Sequence, residues 1–323
     1  MTPQKKKIKI GLMGDVMLGR SVDEYLDNKK YDYPWGDFKS ILKSNDLNIL
    51  NLENAFTNSP CETPKVFNFK AKPDRVNVLK AGNIHLVNLA NNHILDYGED
   101  GLIETIYTLD EAHIDHVGAG ENFEEAQKGK IIQRGGIRIG VLGLTDNESG
   151  WKAGIEPGTN YVNLNDTDAI LNELHTIRPY VDFLIVSIHW GPNMVSKPFK
   201  EHIELAHFMI DYGVDLIHGH SAHVFQGIEI YKGKTILYDT GDFIDDYMVD
   251  PSMRNDFSFF FQCEIENKKV SRIELIPVLI KNFQATRARG ILAKSIVGRM
   301  KNLSQKFQTN ISIEDDKGII KIQ

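Results

Sequence analysis

The sequence predicts an α/β protein built as a two-sheet sandwich flanked by helices, and three patterns carry that expectation. Apolar runs of strand length alternate with amphipathic helical stretches, as in successive βαβ units. From about residue 130, and again after 224, paired runs flank short turn sequences, the mark of hairpins. Five of the apolar runs end abruptly in a residue that can hold a metal ion.

The runs are residues 8–13, ending at Gly14-Asp15; 47–52, at Glu53; 84–90, at Asn91-Asn92-His93; 183–188, at His189; and 214–217, at His218-Gly219-His220 with His223 beyond. Buried parallel strands are near-continuous Val/Ile/Leu runs, and open α/β sheets bind ligands outside the carboxyl ends of their strands. The side chains are therefore expected to converge on one edge of one sheet. Between the strands, 73–81 opens with Pro73 and stops at Gly82, a good helix start and stop. Leu102, Ile106 and Leu109 share one helical face, as do Ile170, Leu174 and Ile177, and Phe199, Ile203, Ala206 and Ile210. Hairpins are expected around Gly135-Gly136, Lys232-Gly233-Lys234 and Asn267-Lys268-Lys269, forming a second, more antiparallel sheet packed on the first. Leu292, Ile296, Met300, Leu303 and Phe307 mark a closing amphipathic helix.

With 323 residues, 41% hydrophobic and 25% charged, the chain can bury a substantial core. A net charge of −7 with no basic stripe argues against nucleic acid as a partner. The one tight basic cluster, Lys5-Lys6-Lys7, is expected to be a solvated N-terminus. No stretch approaches the ~20 apolar residues of a membrane span, and none has the core of a secretory signal, so a cytoplasmic protein without a membrane anchor is expected. Cys61 and Cys263 lie far apart in no metal-ligand spacing and are expected to be unpaired thiols of a reducing compartment. Metal chemistry would fall to His and carboxylates.

Each strand end has an ordinary alternative. Gly14-Asp15 is a common turn, although Gly14 would let the backbone approach whatever Asp15 holds. A strand-end Glu53 is commonly solvated. Segment 91–98 is more specific: an Asn amide oxygen is a hard neutral ligand, His93 can face substrate, and Asp96 three residues on can fix its tautomer. The alternative there is an Asn-rich helix cap. His189 could be a satisfied core histidine. His220 and His223, three apart, can serve one centre or two adjacent ions. His218 is expected to point the other way along its strand and is left out. Five such signals in succession favour a metal centre.

Gly14-Asp15-Val16-Met17-Leu18-Gly19-Arg20, Asn91-Asn92-His93 through Asp96-Tyr97-Gly98, His189-Trp190-Gly191 and Gly219-His220 through His223 together resemble the CapA-type (poly-gamma-glutamate capsule biosynthesis) branch of the calcineurin-like metallophosphatase superfamily. The resemblance implies a four-layer αββα sandwich with two central mixed sheets, a domain over 1–280 and a C-terminal helical extension over 281–323. It implies Glu53 as bridging carboxylate, Asp15 and His223 on one ion, and Asn92, His189 and His220 on the other. His93 would be the substrate-facing acid or base, oriented by Asp96. One or two divalent ions are expected: Mn, Fe or Zn, with Ca if further acids join.

The departures are specific. Met17 stands where phosphatases of the superfamily carry His, Glu53 stands for Asp, and the Gly-His-x-His motif is longer by one residue. Where related capsule proteins carry Leu-Gly-Asn-Phe, this chain has Thr240-Gly241-Asp242-Phe243 in a stretch with Asp239, Asp245 and Asp246. Those acids could add oxygen ligands, bind a substrate ammonium group, or form a solvated loop. Arg20 and Lys70 are candidate anion contacts, and Trp190, Asp242, Asp245 and Asp246 complete the expected substrate-facing set. The expected activity is metal-assisted hydrolysis or transfer on a peptide or poly-gamma-glutamyl substrate. Peptidyl epimerisation through His93, phosphoester hydrolysis and a non-catalytic binding role in capsule synthesis remain alternatives.

Overall fold

The computed structural model describes residues 7–322, so Lys5 and Lys6 of the basic cluster lie outside the described residues. Lys7 pairs with Glu264 and Glu266 at 3.4 and 2.7 Å.

Two large sheets face each other. The first runs in spatial order Ser312–Glu314, Lys317–Lys321, Lys269–Lys281, Phe257–Glu266, Ile8–Val16, Leu47–Leu52, Leu86–Asn88 and Asp115–Val117, with Asp242–Ile244 beside Ile8–Val16 and Gln284–Arg287 beside Lys269–Lys281. The second runs Ile228–Tyr231, Lys234–Leu237, Leu216–His220, Phe183–His189, Ile137–Thr145 and Lys130–Arg134. Both are mixed. The central strands Ile8–Val16, Leu47–Leu52 and Leu86–Asn88 pair in parallel, as do Ile137–Thr145, Phe183–His189 and Leu216–His220. Leu47–Leu52 and Phe183–His189 are buried at every position, the fate of continuous apolar runs covered on both faces.

Three apolar layers account for the stacking. One lies between the sheets and joins Ile10, Leu12 and Ile49 to Val141, Phe183, Ile185 and Leu216. A second packs the outer face of the first sheet, through Met13, Leu50 and Val87, against Val22, Leu26, Leu102, Ile106 and Leu109. The third packs Leu184, Val186 and Ile217 against Ile170, Leu174, Ile177, Leu205, Ala206 and Met209. Helices Gly98–Glu111 and Thr167–Ile177 thus bury the faces read from their periodicity, whereas Lys200–Asp211 buries His202, Leu205, Ala206, Met209 and Ile210 and leaves Phe199 exposed before its first turn, giving helix, sheet, sheet and helix layers. The helix expected over 73–81 begins as a 3-10 turn, Pro73–Arg75, and continues as Val76–Ala81.

The three hairpins form where expected, but they do not make one antiparallel sheet. The hairpins at Gly135-Gly136 and Lys232-Gly233-Lys234 supply the two edges of the second sheet, whose interior is parallel, whereas Phe257–Glu266 and Lys269–Lys281 extend the first sheet antiparallel to Ile8–Val16. A hairpin specifies its own pairing and not which sheet it joins. After Lys281, helix Gly290–Ser304 packs Ile296, Val297 and Met300 into the layer between the sheets, and two short strands that periodicity did not reveal extend the first sheet.

One irregularity matters for everything that follows. Along the pairing of Ile8–Val16 with Leu47–Leu52, Leu12 faces Ile49 and Asp15 faces Asn51, so Met13 and Gly14 together oppose Leu50. This β-bulge adds one residue to one strand and reverses the alternation beyond it. Met13 points to the outer helical layer, and without the bulge Asp15 would follow it. With it, Asp15 turns between the sheets. Gly14 is needed because a Cβ there would lie 1.6 Å from the Gly241 carbonyl oxygen. The glycine therefore admits the neighbouring strand and not the ligand of Asp15.

Candidate metal centre

The strand-end residues do converge, but from two sheets. Asp15 and Glu53 come from the first, His189 and His220 from the second, and His223 from the loop after Leu216–His220. Residues of types that can hold a metal fall into two buried groups: Asp15, His189 and His220; and Asp15, Glu53, His223 and Asp242.

In the first group, His189 Nδ1 lies 3.0 Å from His220 Nδ1 and 3.7 Å from Asp15 Oδ1, and His220 Nδ1 lies 3.8 Å from the same oxygen. Ligand atoms about 2.0–2.2 Å from a common ion stand about this far apart. Asn92 Oδ1 is 2.9 Å from His189 Nε2. His220 Nε2 lies 3.0 Å from Ser187 Oγ, a contact that fixes its ring. In the second group, Asp15 Oδ2 is 3.4 Å from His223 Nδ1, Asp242 Oδ1 is 2.8 Å from the same nitrogen, and Glu53 Oε1 is 3.8 Å from His223 Nε2. Asp15 thus presents one oxygen to each group, and Glu53 Oε1 also lies 3.9 Å from His189 Nε2 of the first group. Asp242, expected among substrate contacts, stands with the ligand candidates because its strand pairs with Asp15 itself.

The electrostatics fit divalent cations. Glu53 Oε1 and Asp242 Oδ2 are buried without a hydrogen-bond partner, an arrangement that is costly unless a positive charge completes it. Burial and repulsion from Asp15 push the Glu53 carboxyl well above its ordinary value. Burial likewise raises Asp242, with Asp245 and Asp15 adding to the effect. Burial opposes charging of His223, yet Asp242, Glu53 and Asp15 hold its imidazole well above the usual range. Burial drives His220 well below it, which leaves a neutral imidazole suited to coordination. Three carboxyl groups, Asp15, Glu53 and Asp242, thus gather around one imidazole whose charged form they favour.

His93 sits beside this cluster, its Nδ1 2.5 Å from Asp96 Oδ2 and its ring stacked on Phe69 at 3.8 Å between centroids. Burial pushes its pKa down to about 4 against the pull of Asp96. The expected Asp96–His93 contact therefore exists, and at neutral pH the imidazole is uncharged. In the loop after the second-sheet strand, Ser221 and His223 have φ of 120° and 58°, regions that L side chains rarely adopt. That strained path is how the lengthened motif turns His223 back towards Asp15 and Glu53. Asp239 supports it, accepting from Ala222 N at 2.7 Å and Gly241 N at 2.8 Å.

Several expected roles change. His218 lies on the same side of its strand as His220, since positions two apart share a face. It stays out of both groups because its ring bonds the Met13 carbonyl at 2.9 Å and Ser187 Oγ at 3.1 Å. Trp190 is buried and donates to Tyr238 O at 2.8 Å, so its indole is a wall of the core. Lys70 donates to Ser59 O and lies over the Tyr97 ring, while Arg20 pairs with Asp246 at 3.2 Å and covers Phe69. Asp246 also accepts from Ser21 N, and Asp245 accepts from Tyr247 N while its second oxygen is buried without a partner. Met17 is buried in the outer core, its sulfur accepting from Gly19 N.

Some supporting residues escaped sequence reasoning. Asn51 Nδ2 donates to Asp15 Oδ1 at 2.8 Å, and Asn51 Oδ1 accepts from Asn88 and Asn91 at 2.9 and 3.2 Å. Tyr247 donates to Glu53 Oε2 at 3.1 Å. Asparagines inside otherwise apolar buried runs were the available signal for the first set, because buried amides need partners.

The layers and the paired ligand groups define a metallophosphatase-like α/β sandwich with a candidate two-ion centre. The chain belongs to the bacterial capsule synthesis protein family PGA_cap, whose model matches residues 9–247. It is 29% identical over 332 residues to the capsule biosynthesis protein CapA of Bacillus anthracis, covering 99% of this chain and 79% of that relative. With the PGA biosynthesis protein CapA of Bacillus subtilis it shares 30% identity over 269 residues, 82% and 70% of the two chains. Among solved structures, a Staphylococcus aureus protein assigned as a 5'-nucleotidase, in complex with alpha-ketoglutarate, aligns with a TM-score of 0.51 and 15% identity. That alignment covers 95% of this chain and 59% of the other, and the likeness is one of fold.

Proposed function

We propose that this protein is a metal-dependent enzyme of capsule-polymer metabolism that acts on a peptide or poly-gamma-glutamyl substrate by hydrolysis or transfer. The observation that carries this reading is the pair of buried ligand groups sharing Asp15, with partnerless carboxylate oxygens in one and the His93–Asp96 pair alongside. Its relatives' names supply the polymer. Asp15, His189 and His220 would hold one ion, and Asp15, Glu53, His223 and Asp242 the other, with Asn92, expected as a ligand, against the far ring nitrogen of His189. Bound there, divalent ions supply Lewis-acid polarisation of the electrophilic carbonyl.

The chain's own residues do the rest. Asp96 accepts from His93 Nδ1 and so presents the unprotonated Nε2 to the substrate, where it would take a proton from the attacking nucleophile and pass it to the leaving amide nitrogen. Phe69 stacks on the imidazole and keeps water from that face. Asp242, Asp245 and Asp246 place acidic side chains near the site, and the two candidate anion contacts, Arg20 and Lys70, are already engaged. Both features favour an amide over a dianionic phosphate monoester. The test is metal analysis of purified protein followed by parallel assays on a γ-glutamyl peptide and an aryl phosphate. Metal-dependent shortening or transfer of the peptide supports the reading. Rapid phosphate release with the peptide unchanged in length and D/L content would reject it in favour of a phosphatase, and a change in D/L content alone would favour epimerisation.

A further inference from the structure

Segment 63–69 engages every acceptor of Asp96. Thr63 N donates to the Asp96 carbonyl at 2.8 Å, and Thr63 Oγ1 reaches it at 3.2 Å. Phe69 N donates to Asp96 Oδ2 at 2.7 Å, the oxygen that also meets His93. The other carboxylate oxygen, Oδ1, is buried without a hydrogen bond and, among the described residues, meets only one charge, Lys65 Nζ at 3.0 Å. Lys65 also donates to the Asn92 carbonyl and lies over the Trp151 ring, 4.5 Å from its centre. Its ammonium thus ties together the residue before His93 and the carboxylate that orients it.

Asp96 has no solvent exposure, and an ionised carboxylate in such a place needs a fixed countercharge. Two backbone groups hold the carbonyl and one oxygen; among the described residues, nothing but Lys65 holds the other. Glu148, 3.8 Å from Lys65, is half-open to solvent and a weak competitor. Phe69, at the far end of the same segment, is the ring on which His93 stacks. The segment therefore fixes both the edge and the face of the imidazole.

We propose that Lys65 is a positioning residue for His93: by pairing with Asp96 Oδ1 it holds the carboxylate oriented, so that the His93 proton stays on Nδ1 and Nε2 faces the reacting group. This rests on the proposed role of His93, and the experiment separates the two. Lys65→Met and Lys65→Arg would be compared with the unchanged protein, with metal loaded, by ring ¹⁵N NMR of His93 and by kinetics on a γ-glutamyl peptide. Methionine keeps the length of the stem and removes the charge. The expected result for Lys65→Met is a shift of the His93 nitrogens away from the Nδ1–H tautomer, with metal content near the parent's and the protein still folded at the assay temperature, although its melting temperature falls. Its kcat should fall about tenfold to a hundredfold, the usual cost of losing an orienting partner, with KM within about twofold. Lys65→Arg should restore both the tautomer and kcat. Unchanged ¹⁵N signals in Lys65→Met overturn the proposal, as does a loss confined to KM or metal content. If the parent protein does not turn over the peptide, the function reading fails while the NMR comparison still decides the role of Lys65.

Discussion

Asp15 is the residue on which the centre depends, because its two oxygens face two chemically different groups. The His189–His220 side is nitrogen-rich and suits Zn, Fe or Mn; the Glu53–Asp242–His223 side is oxygen-rich and suits Mn or Ca. Asp242→Ala should therefore remove roughly one ion per chain and leave the other, with zinc retained in preference to calcium. Elemental analysis after dialysis against each metal would show it, and loss of both ions together would mean that the groups are one site. His93→Ala should lower turnover by about 10²–10⁴-fold with metal content intact, because the imidazole touches no candidate ion. Metal loss in that variant would return His93 to the ligands. Most of this set was legible because strand-end Asp, Glu, Asn and His stood out against apolar runs. Asp242 was legible only as one acid of the 239–246 stretch that could add oxygen ligands, and Lys65 not at all, since their partners lie over two hundred and about thirty positions away.

Among the elements, strand Ile8–Val16 carries the most specific geometry. Gly14→Ala would drive a methyl group into the Gly241 carbonyl, and both atoms belong to paired backbone that cannot turn aside. Soluble protein from this variant should be scarce, and what folds should bind less metal; parent-like yield and metal content would count against the bulge. Helix Thr167–Ile177 offers a test remote from the centre. Burial pushes Glu173 up to about 7 from 4.5, against hydrogen bonds from Asn160 at 2.7 Å and Gln127 at 3.0 Å. A carboxyl raised in the folded state binds its proton more tightly there. Its stabilising contribution is full below about pH 4.5, declines as pH rises towards 7, and is gone above; the gap corresponds to about 3 kcal/mol at most. Urea unfolding at pH 5 and pH 8 should show a smaller difference for Glu173→Gln than for the parent. Helices of this kind were readable from periodicity, whereas the strands after Ser304 were too short, and the first of them too exposed, to declare themselves.

In the whole molecule, the ligands bridge two sheets that otherwise meet only through apolar packing and a few polar contacts. Metal should therefore stabilise the fold as well as the site. Saturation at a hundredfold excess over the dissociation constant contributes about 2.7 kcal/mol, so chelation should lower the melting temperature by several degrees. A melting curve indifferent to chelator and to added Mn or Zn would argue against ions spanning the sheets. The layered class of the fold was visible in the sequence; the partition of strands between the sheets was not, because alternation and turn chemistry fix neighbours in pairs and leave the assignment of each pair to long-range packing.

The bulge at Met13 and Gly14 also makes the centre a matter of reading frame in space. Were the strand to pair regularly through this stretch, with no residue lost, Asp15 would fall opposite Leu52 and return to the side where the helices lie. Such a slip would keep the sheet and surrender the ligand with no residue mutated, whereas a single-residue deletion that took the bulge away would leave Asp15 opposite Asn51 and facing inwards. The facing of the aspartate is thus set by the phase of its strand as much as by the residue itself.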